Sequence, residues 1–336
     1  MYVFDIFLGL LFLAAFIFNF QDSMTKTKLY LGFMPLILQD LKYLLNNELA
    51  INSHIDALKG TRALSYTCGR ALIKYALLNE GVIAQNELLP NITYSNLGKP
   101  ILDSKGIYFN LSHSNQVMAL SLGPYEQGVD IELCNEKRLR PSLLQKVLNE
   151  SELHCLNAKS SSYEQALFFT RQWTLRECLV KSQGNSIFSM DSLEIDPVNM
   201  TIKAANYPLG IIATFEINMS EYFNSNDKIY HLESFEMPKS SLKVSLDKTN
   251  CTGACPHDLK LGTLDYSHPD VKRLEKAHCY QLSVFLECDY EKYQSLQLAV
   301  ADNLEIWGCF AVNNAISQQS PFTPVKCSPK AVFTVN

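Results

Sequence analysis

Positive charge is in short supply in this chain. Its 29 Lys and Arg face 34 Asp and Glu, for a formal net charge of −5. A protein that grips a nucleic-acid backbone needs a basic patch or stripe, so no nucleic-acid partner is expected. A disulfide framework is missing too. The ten cysteines fall at 68, 134, 155, 178, 251, 255, 279, 288, 309 and 327, scattered and mostly in apolar surroundings, as reduced thiols of a cytosolic protein are. The stretch Cys251-x-x-x-Cys255-Pro256-His257, with His278-Cys279 beyond it, lacks the paired ligand spacing of a zinc ribbon or finger. No internal repeat is visible.

The one long apolar run lies at the N-terminus, from Val3 to Phe20, interrupted only by Asp5 and Asn19. It is at the short end for a membrane span. It also lacks the leading positive charge and the small-residue cleavage site of a secretory signal. Lys26 and Lys28 follow it, so an uncleaved anchor would leave the remainder in the cytoplasm. The other reading is that translation starts at Met24, where Met-Thr-Lys-Thr-Lys-Leu-Tyr-Leu runs directly into a first strand. The sequence favours this start over an anchor, and both place the body of the protein in the cytoplasm.

The rest has ample material for a core, with 47% hydrophobic and 19% charged residues over 336 positions. A strand and its turn are expected from Leu29 to Leu38, and a helix from Lys59 to Gly81 with Arg62, Arg70 and Lys74 near its polar side. Asn96-Leu-Gly-Lys-Pro100 reads as a loop. Ile107–Leu111 and Val117–Leu122 read as strands around a tight turn at Ser112-His-Ser-Asn115. Pro141 to Leu156 and Tyr163 to Ser182 read as helices. Strands follow at Ser192–Ile195, Ile211–Ile217 and Tyr230–Phe235, then a polar stretch at 237–277. Strand-like patterns resume at Tyr280–Leu286 and Leu296–Phe310. Helices and short strands in non-alternating order predict an α+β protein.

Two segments carry candidate chemistry. In Gly128-Val-Asp-Ile-Glu132, strand alternation sends Asp130 and Glu132 to one side and Val129 and Ile131 to the other. In Trp173-Thr-Leu-Arg-Glu177-Cys-Leu-Val-Lys181, helical spacing puts Trp173, Glu177 and Lys181 on one face. Three carboxylates that converge suit a hard divalent cation such as Mg²⁺ holding a phosphate-bearing substrate. Each segment alone also fits a solvated strand edge or a surface Glu–Lys pair; their order and spacing, with a third segment upstream, favour the metal reading.

The ordered set Gly98-Lys-Pro100, Phe109-Asn-Leu-Ser-His-Ser114, Gly128-Val-Asp-Ile-Glu132 and Trp173-x-x-Arg-Glu177-x-x-x-Lys181 resembles a 4′-phosphopantetheinyl transferase. The likeness is to the larger, pseudo-dimeric class and covers roughly Leu29 to Phe235. It implies two similar subdomains, each a small antiparallel sheet packed with a long helix and related by a pseudo-twofold. They would be residues 24–126 and 127–336, with 1–23 a leader and 237–277 an insertion. A monomer follows, because the two halves supply the interface within one chain.

The resemblance further implies transfer of the 4′-phosphopantetheine arm of coenzyme A to a serine of an apo acyl or peptidyl carrier protein. Such carriers belong to fatty-acid, polyketide or nonribosomal-peptide synthases, and adenosine 3′,5′-bisphosphate is released. Mg²⁺ would be held by Asp130, Glu132 and Glu177, with Glu177 as general base and Lys181 serving the departing phosphate. Arg62, Arg70, Lys99, Ser112 and His113 would bind coenzyme A, and Trp173 would be a core aromatic. Two positions depart from the family pattern: Arg176 stands where lysine is usual, and Asn185 where a further lysine often follows the glycine. The alternative is a module that binds coenzyme A or the carrier without catalysis.

Overall fold

The first strand earns its central place by composition. Thr27–Phe33 (β1) is rich in residues that suit a pleated, buried surface and is covered along almost its whole length. In the computed structural model, which describes residues 24–104, 106–115, 117–184, 193–218, 279–309, 323–324 and 328–335, β1 leads into three helices. These are Met34–Leu41 (α1), Leu49–Ala57 (α2) and Thr61–Asn79 (α3). The turn expected through Leu38 is therefore a helix, begun by Pro35, which needs no N–H in a first turn. A small hairpin follows, Ile92–Tyr94 (β2) and Pro100–Leu102 (β3), and then Tyr108–Ser114 (β4), Val117–Gly123 (β5) and Gln127–Leu133 (β6).

The next stretch holds Pro141–Val147 (α4), Glu150–Asn157 (α5) and Ser162–Gln183 (α6), then Glu194–Asp196 (β7), Thr201–Lys203 (β8), Gly210–Asn218 (β9) and Cys279–Glu287 (β10). Leu296–Asn303 (α7), Leu304–Cys309 (β11), Thr323–Pro324 (β12) and Ala331–Val335 (β13) complete the described chain.

The strands form two main sheets, ordered β12-β11-β1-β5-β4 and β6-β10-β9-β13-β8-β7. The architecture is mixed α+β, as the sequence predicts. The sheets are not purely antiparallel, however: β1 runs parallel to β11, and β13 parallel to β8. Parallel neighbours need a long crossover connection, and here the strands that meet are far apart in sequence. The expected boundary at 126/127 falls between β5 and β6, at the passage from the first sheet to the second, while β11 and β12 return to the first.

Other departures have local causes. One helix expected over Pro141–Leu156 is two, because Leu148 is extended and Asn149 opens a new helix with a capping box: it accepts from the Glu152 N–H while the Glu152 carboxylate accepts from its own. Leu296–Asn303 is helical, capped by Ser295, so the strand expected there begins only at Leu304. The leader 1–23, the strand at Tyr230–Phe235, the stretch 237–277, Asn185 and the Cys251/Cys255/His257 group lie outside the described residues. Cys279 is a buried member of β10.

The largest core lies among the first sheet, α1, α3 and the inner side of the second sheet, where Leu29, Leu72, Leu120, Val129, Ile131 and Leu282 are fully buried. A second core seats α6 on the second sheet through Leu175, Cys178 and Leu179. Among the described residues no helix is long and apolar enough to cross a membrane.

Candidate active site

Gly128 sets the geometry of the site. A Cβ there would lie 1.8 Å from the Cys178 carbonyl oxygen and 2.9 Å from the Ser182 nitrogen, so only glycine lets α6 press against β6 at this point. Strand alternation then turns Asp130 and Glu132 toward the same side as Gly128. The helix brings Glu177 and Lys181 down from above. The two acidic segments separated by some forty residues of sequence thus meet, as expected.

A seam of side chains joins the two sheets beside them. Strand β4 does not pair with β6 through backbone; instead its alternate side chains accept the free N–H groups of β6. Val129 N–H donates to Asn110 Oδ1 at 3.0 Å, Ile131 N–H to Ser112 Oγ at 3.4 Å and Leu133 N–H to Ser114 Oγ at 3.1 Å. Gln127 donates back to the Tyr108 carbonyl at 2.8 Å. This explains why the turn expected at Ser112–Asn115 is strand through Ser114; the chain reverses beyond it, with Asn115 at φ 52. Serines that would otherwise bond their own backbone are satisfied across the seam.

The same hydroxyls hold the carboxylates. Ser112 donates to Asp130 Oδ1 at 2.8 Å and Ser114 to Glu132 Oε2 at 2.8 Å. Lys181 Nζ donates to Asp130 Oδ1 at 2.5 Å and to Ser112 Oγ at 3.0 Å. Arg138 Nη1 lies 3.3 Å from Glu132 Oε2. Among the described residues no three His, Cys, Asp or Glu side chains close into a cage for a metal; the near oxygens of Asp130 and Glu132 are drawn to serines and to cationic side chains.

The donor set nonetheless fits a hard cation. Asp130 Oδ2 is buried with no partner, an orphaned acceptor that costs free energy until something positive or hydrogen-bonding meets it. Burial pushes the Glu177 carboxyl up to about 7, with Asp130 and Glu132 adding to the shift and Lys181 opposing it. Burial, then Asp130, also raises Glu132. Burial works against the Lys181 ammonium, yet Asp130, Glu177 and Glu132 together raise its pKa. Mutually repelling oxygen ligands of this kind are relieved by a divalent ion.

Comparison with known sequences decides the family. A profile described as the 4′-phosphopantetheinyl transferase superfamily matches residues 126–219, the span that carries both acidic segments. The 4′-phosphopantetheinyl transferase AcpT of Salmonella typhimurium is 32% identical over 138 residues, 40% of this chain and 67% of the relative. The chain belongs to the 4′-phosphopantetheinyl transferase superfamily. The transferase HetI of Nostoc is 28% identical over 135 residues, 39% of this chain and 56% of the relative. The transferase gsp of Aneurinibacillus migulanus is 29% identical over 91 residues, 27% and 37% of the two chains.

The residues expected to meet coenzyme A are distributed unevenly around this transferase's site. Arg62 is exposed in the first turn of α3. Arg70 lies two turns on, its guanidinium carbon 4.8 Å from the Tyr66 ring centroid, and the adjacent Gly69 brings α3 against Leu111 of β4, where a Cβ would come within 2.9 Å. His113 is exposed on β4, opposite in direction to Ser112; desolvation by its surroundings and the Lys181 charge hold it below the ordinary imidazole range. Lys99 is tied to Glu126 and to the Ser182 carbonyl, so it fastens the β2–β3 hairpin to the end of α6. The Ser112 hydroxyl is fully engaged with Asp130, Lys181 and the Ile131 N–H. Lys74, read as part of a polar face, is buried in an ion pair with Glu48 at 2.5 Å, because Glu48 also receives the Leu89 N–H.

Three supporting residues escaped the sequence reading: Ser114, Arg138 and Glu152. Ser114 was signalled by its spacing of two from Ser112, matching the spacing of the carboxylates. Glu152 explains the Arg176 departure. Arg176 Nη1 and Nη2 bond Glu152 Oε1 and Oε2 at 2.7 and 2.6 Å, both side chains almost wholly buried. Only a guanidinium fork makes that two-pronged contact.

Proposed function

We propose that this transferase moves the 4′-phosphopantetheine arm of coenzyme A onto a serine hydroxyl of an apo carrier protein, releasing adenosine 3′,5′-bisphosphate. The observation that carries this reading is the meeting of β6 and α6 over Gly128, which gathers Asp130, Glu132, Glu177 and Lys181 at one place. Asp130, Glu132 and Glu177 would hold Mg²⁺, which when bound neutralises and orients the pyrophosphate of the substrate.

Glu177 would take the serine proton as general base, directly or through water; in the cation-free site burial raises its carboxyl to about 7. Lys181 keeps its charge and faces the departing phosphate. Arg62, Arg70 and His113 supply donors for the phosphates of coenzyme A, and Lys99 adds a cation from the β2–β3 hairpin. Ser112 acts by orienting Asp130.

The partner is an acyl or peptidyl carrier domain of a fatty-acid, polyketide or nonribosomal-peptide synthase. A pseudo-twofold architecture, with a monomer as its consequence, draws on the order of strand pairings. With the edge strand β6 set aside, β10-β9-β13-β8-β7 pairs antiparallel, antiparallel, parallel, antiparallel, the order found along β4-β5-β1-β11-β12. A cytoplasmic location accords with the free Cys68, Cys134, Cys155, Cys178, Cys279 and Cys288.

The test is direct. Incubation with coenzyme A, Mg²⁺ and a panel of apo carrier proteins adds a phosphopantetheine mass to at least one carrier. Stripping divalent ions with EDTA stops the reaction and Mg²⁺ restores it. Folded protein that modifies no carrier, or turnover indifferent to EDTA, refutes the reading.

A further inference from the structure

Beyond β6 the chain makes a single turn, Glu136–Arg138, that is strapped onto α6. Asn135 Oδ1 accepts the Lys137 N–H at 2.9 Å, and Ser162 at the start of α6 donates its hydroxyl to Glu136 Oε2 at 2.6 Å. At the end of the turn Arg138 lies over the Trp173 ring, 4.6 Å from its centroid, with Phe169 5.8 Å away. Its Nη1 lies 3.3 Å from Glu132 Oε2. One guanidinium thus spans from the helix face that carries Glu177 to the strand that carries Glu132.

We propose that Arg138 is a positioning residue for the transfer reaction: stacked on Trp173, it joins Ser114 in fixing Glu132 Oε2, so that the other carboxylate oxygen is presented toward Asp130 and Glu177. This rests on the reaction proposed above. The chemistry of the three partners supports it. Among the described residues both donors to Glu132 fall on the same oxygen. Asp130 repeats the pattern, with Oδ1 bonded by Ser112 and Lys181 and Oδ2 left without a partner. Each strand carboxylate is therefore held by one oxygen and offered by the other.

A flat aromatic face favours a guanidinium over an ammonium, because stacking leaves its edge N–H groups free to bond. The stack gives Trp173 a second task besides packing beside Phe169, since it sets the height at which Arg138 meets Glu132. An ion pair that served only the surface would leave cation binding unaffected. A group that orients a ligand carboxylate typically changes metal affinity by about 10–100-fold.

Mn²⁺ serves as the probe, its free concentration followed by electron paramagnetic resonance in the presence of coenzyme A, alongside steady-state transfer and thermal melting. Arg138→Met and Trp173→Leu are each expected to weaken Mn²⁺ binding about tenfold or more and to lower kcat. KM for the carrier should stay within about twofold, the range of an indirect effect. Trp173→Phe, which keeps an aromatic platform, retains affinity close to wild type, and Arg138→Lys recovers part of the loss. Mn²⁺ affinity within twofold of wild type in both Arg138→Met and Trp173→Leu overturns the proposal. Should Arg138→Met fail to fold, the contrast between Trp173→Leu and Trp173→Phe decides alone: equal affinities sink it. Wild-type protein that neither binds Mn²⁺ nor transfers takes down the reaction as well; wild-type competence with unaffected variants takes down only the positioning role.

Discussion

Glu177 concentrates the tension between stability and chemistry in one side chain. Its folded carboxyl holds a proton up to about pH 7, against 4.5 for the ordinary group, because burial and two neighbouring carboxylates disfavour the charge. The native state therefore binds more protons than the unfolded chain across that window. Stability falls as pH climbs from 4.5 to about 7 and stays lowered above it. Glu177→Gln removes the burden. Without divalent ions the variant should melt higher than wild type at pH 8, by roughly 1–3 kcal/mol after allowance for partial solvent access, and show no gain near pH 4. The same variant should lose transfer by at least about 100-fold. A melting profile with no pH-dependent gain would show that the carboxyl is not strained, and undiminished turnover would remove it from the chemistry.

At the scale of elements, the pairing of α6 with β6 is what the rest of the site leans on. Gly128→Ala forces a methyl into the Cys178 carbonyl; neither strand nor helix backbone can yield cheaply, and a loss of at least about 2–3 kcal/mol in urea unfolding is expected. Glu152→Ala would strand the buried Arg176 guanidinium and cost about 3–5 kcal/mol by the same measurement. Both acidic segments were readable from sequence because their periods, two in β6 and nearly four in α6, are local properties. The kink that splits α4 from α5 was not, since Asn149 lies within an amphipathic pattern that continues on both sides of it. Nor was the burial of Lys74, which depends on Glu48 arriving from the residue just before α2. Ser112 was legible as important but not in its role, because the atom its hydroxyl meets belongs to a strand eighteen residues later.

Across the whole molecule, the two sheets are coupled by side chains where a continuous sheet would use backbone. Asn110, Ser112 and Ser114 take up β6 N–H groups that would otherwise be unpaired. Replacing all three by alanine should speed hydrogen exchange at the Val129, Ile131 and Leu133 amides by about tenfold or more, while amides in the β1–β5 ladder keep their rates. Uniform acceleration everywhere would mean the seam is merely part of global stability. A polar seam of this sort is hard to see in a sequence, since N-x-S-x-S alone reads as a turn.

The parallel neighbour of β1 has a different kind of consequence. Strand β1 begins at Thr27, and its partner β11 is not made until Leu304–Cys309. During vectorial synthesis the sheet around β1 must wait with one flank of that strand bare until residues 304–309 leave the ribosome. That interval is a window for chaperone capture, and a fragment cut short before 304 should be prone to self-association through that flank.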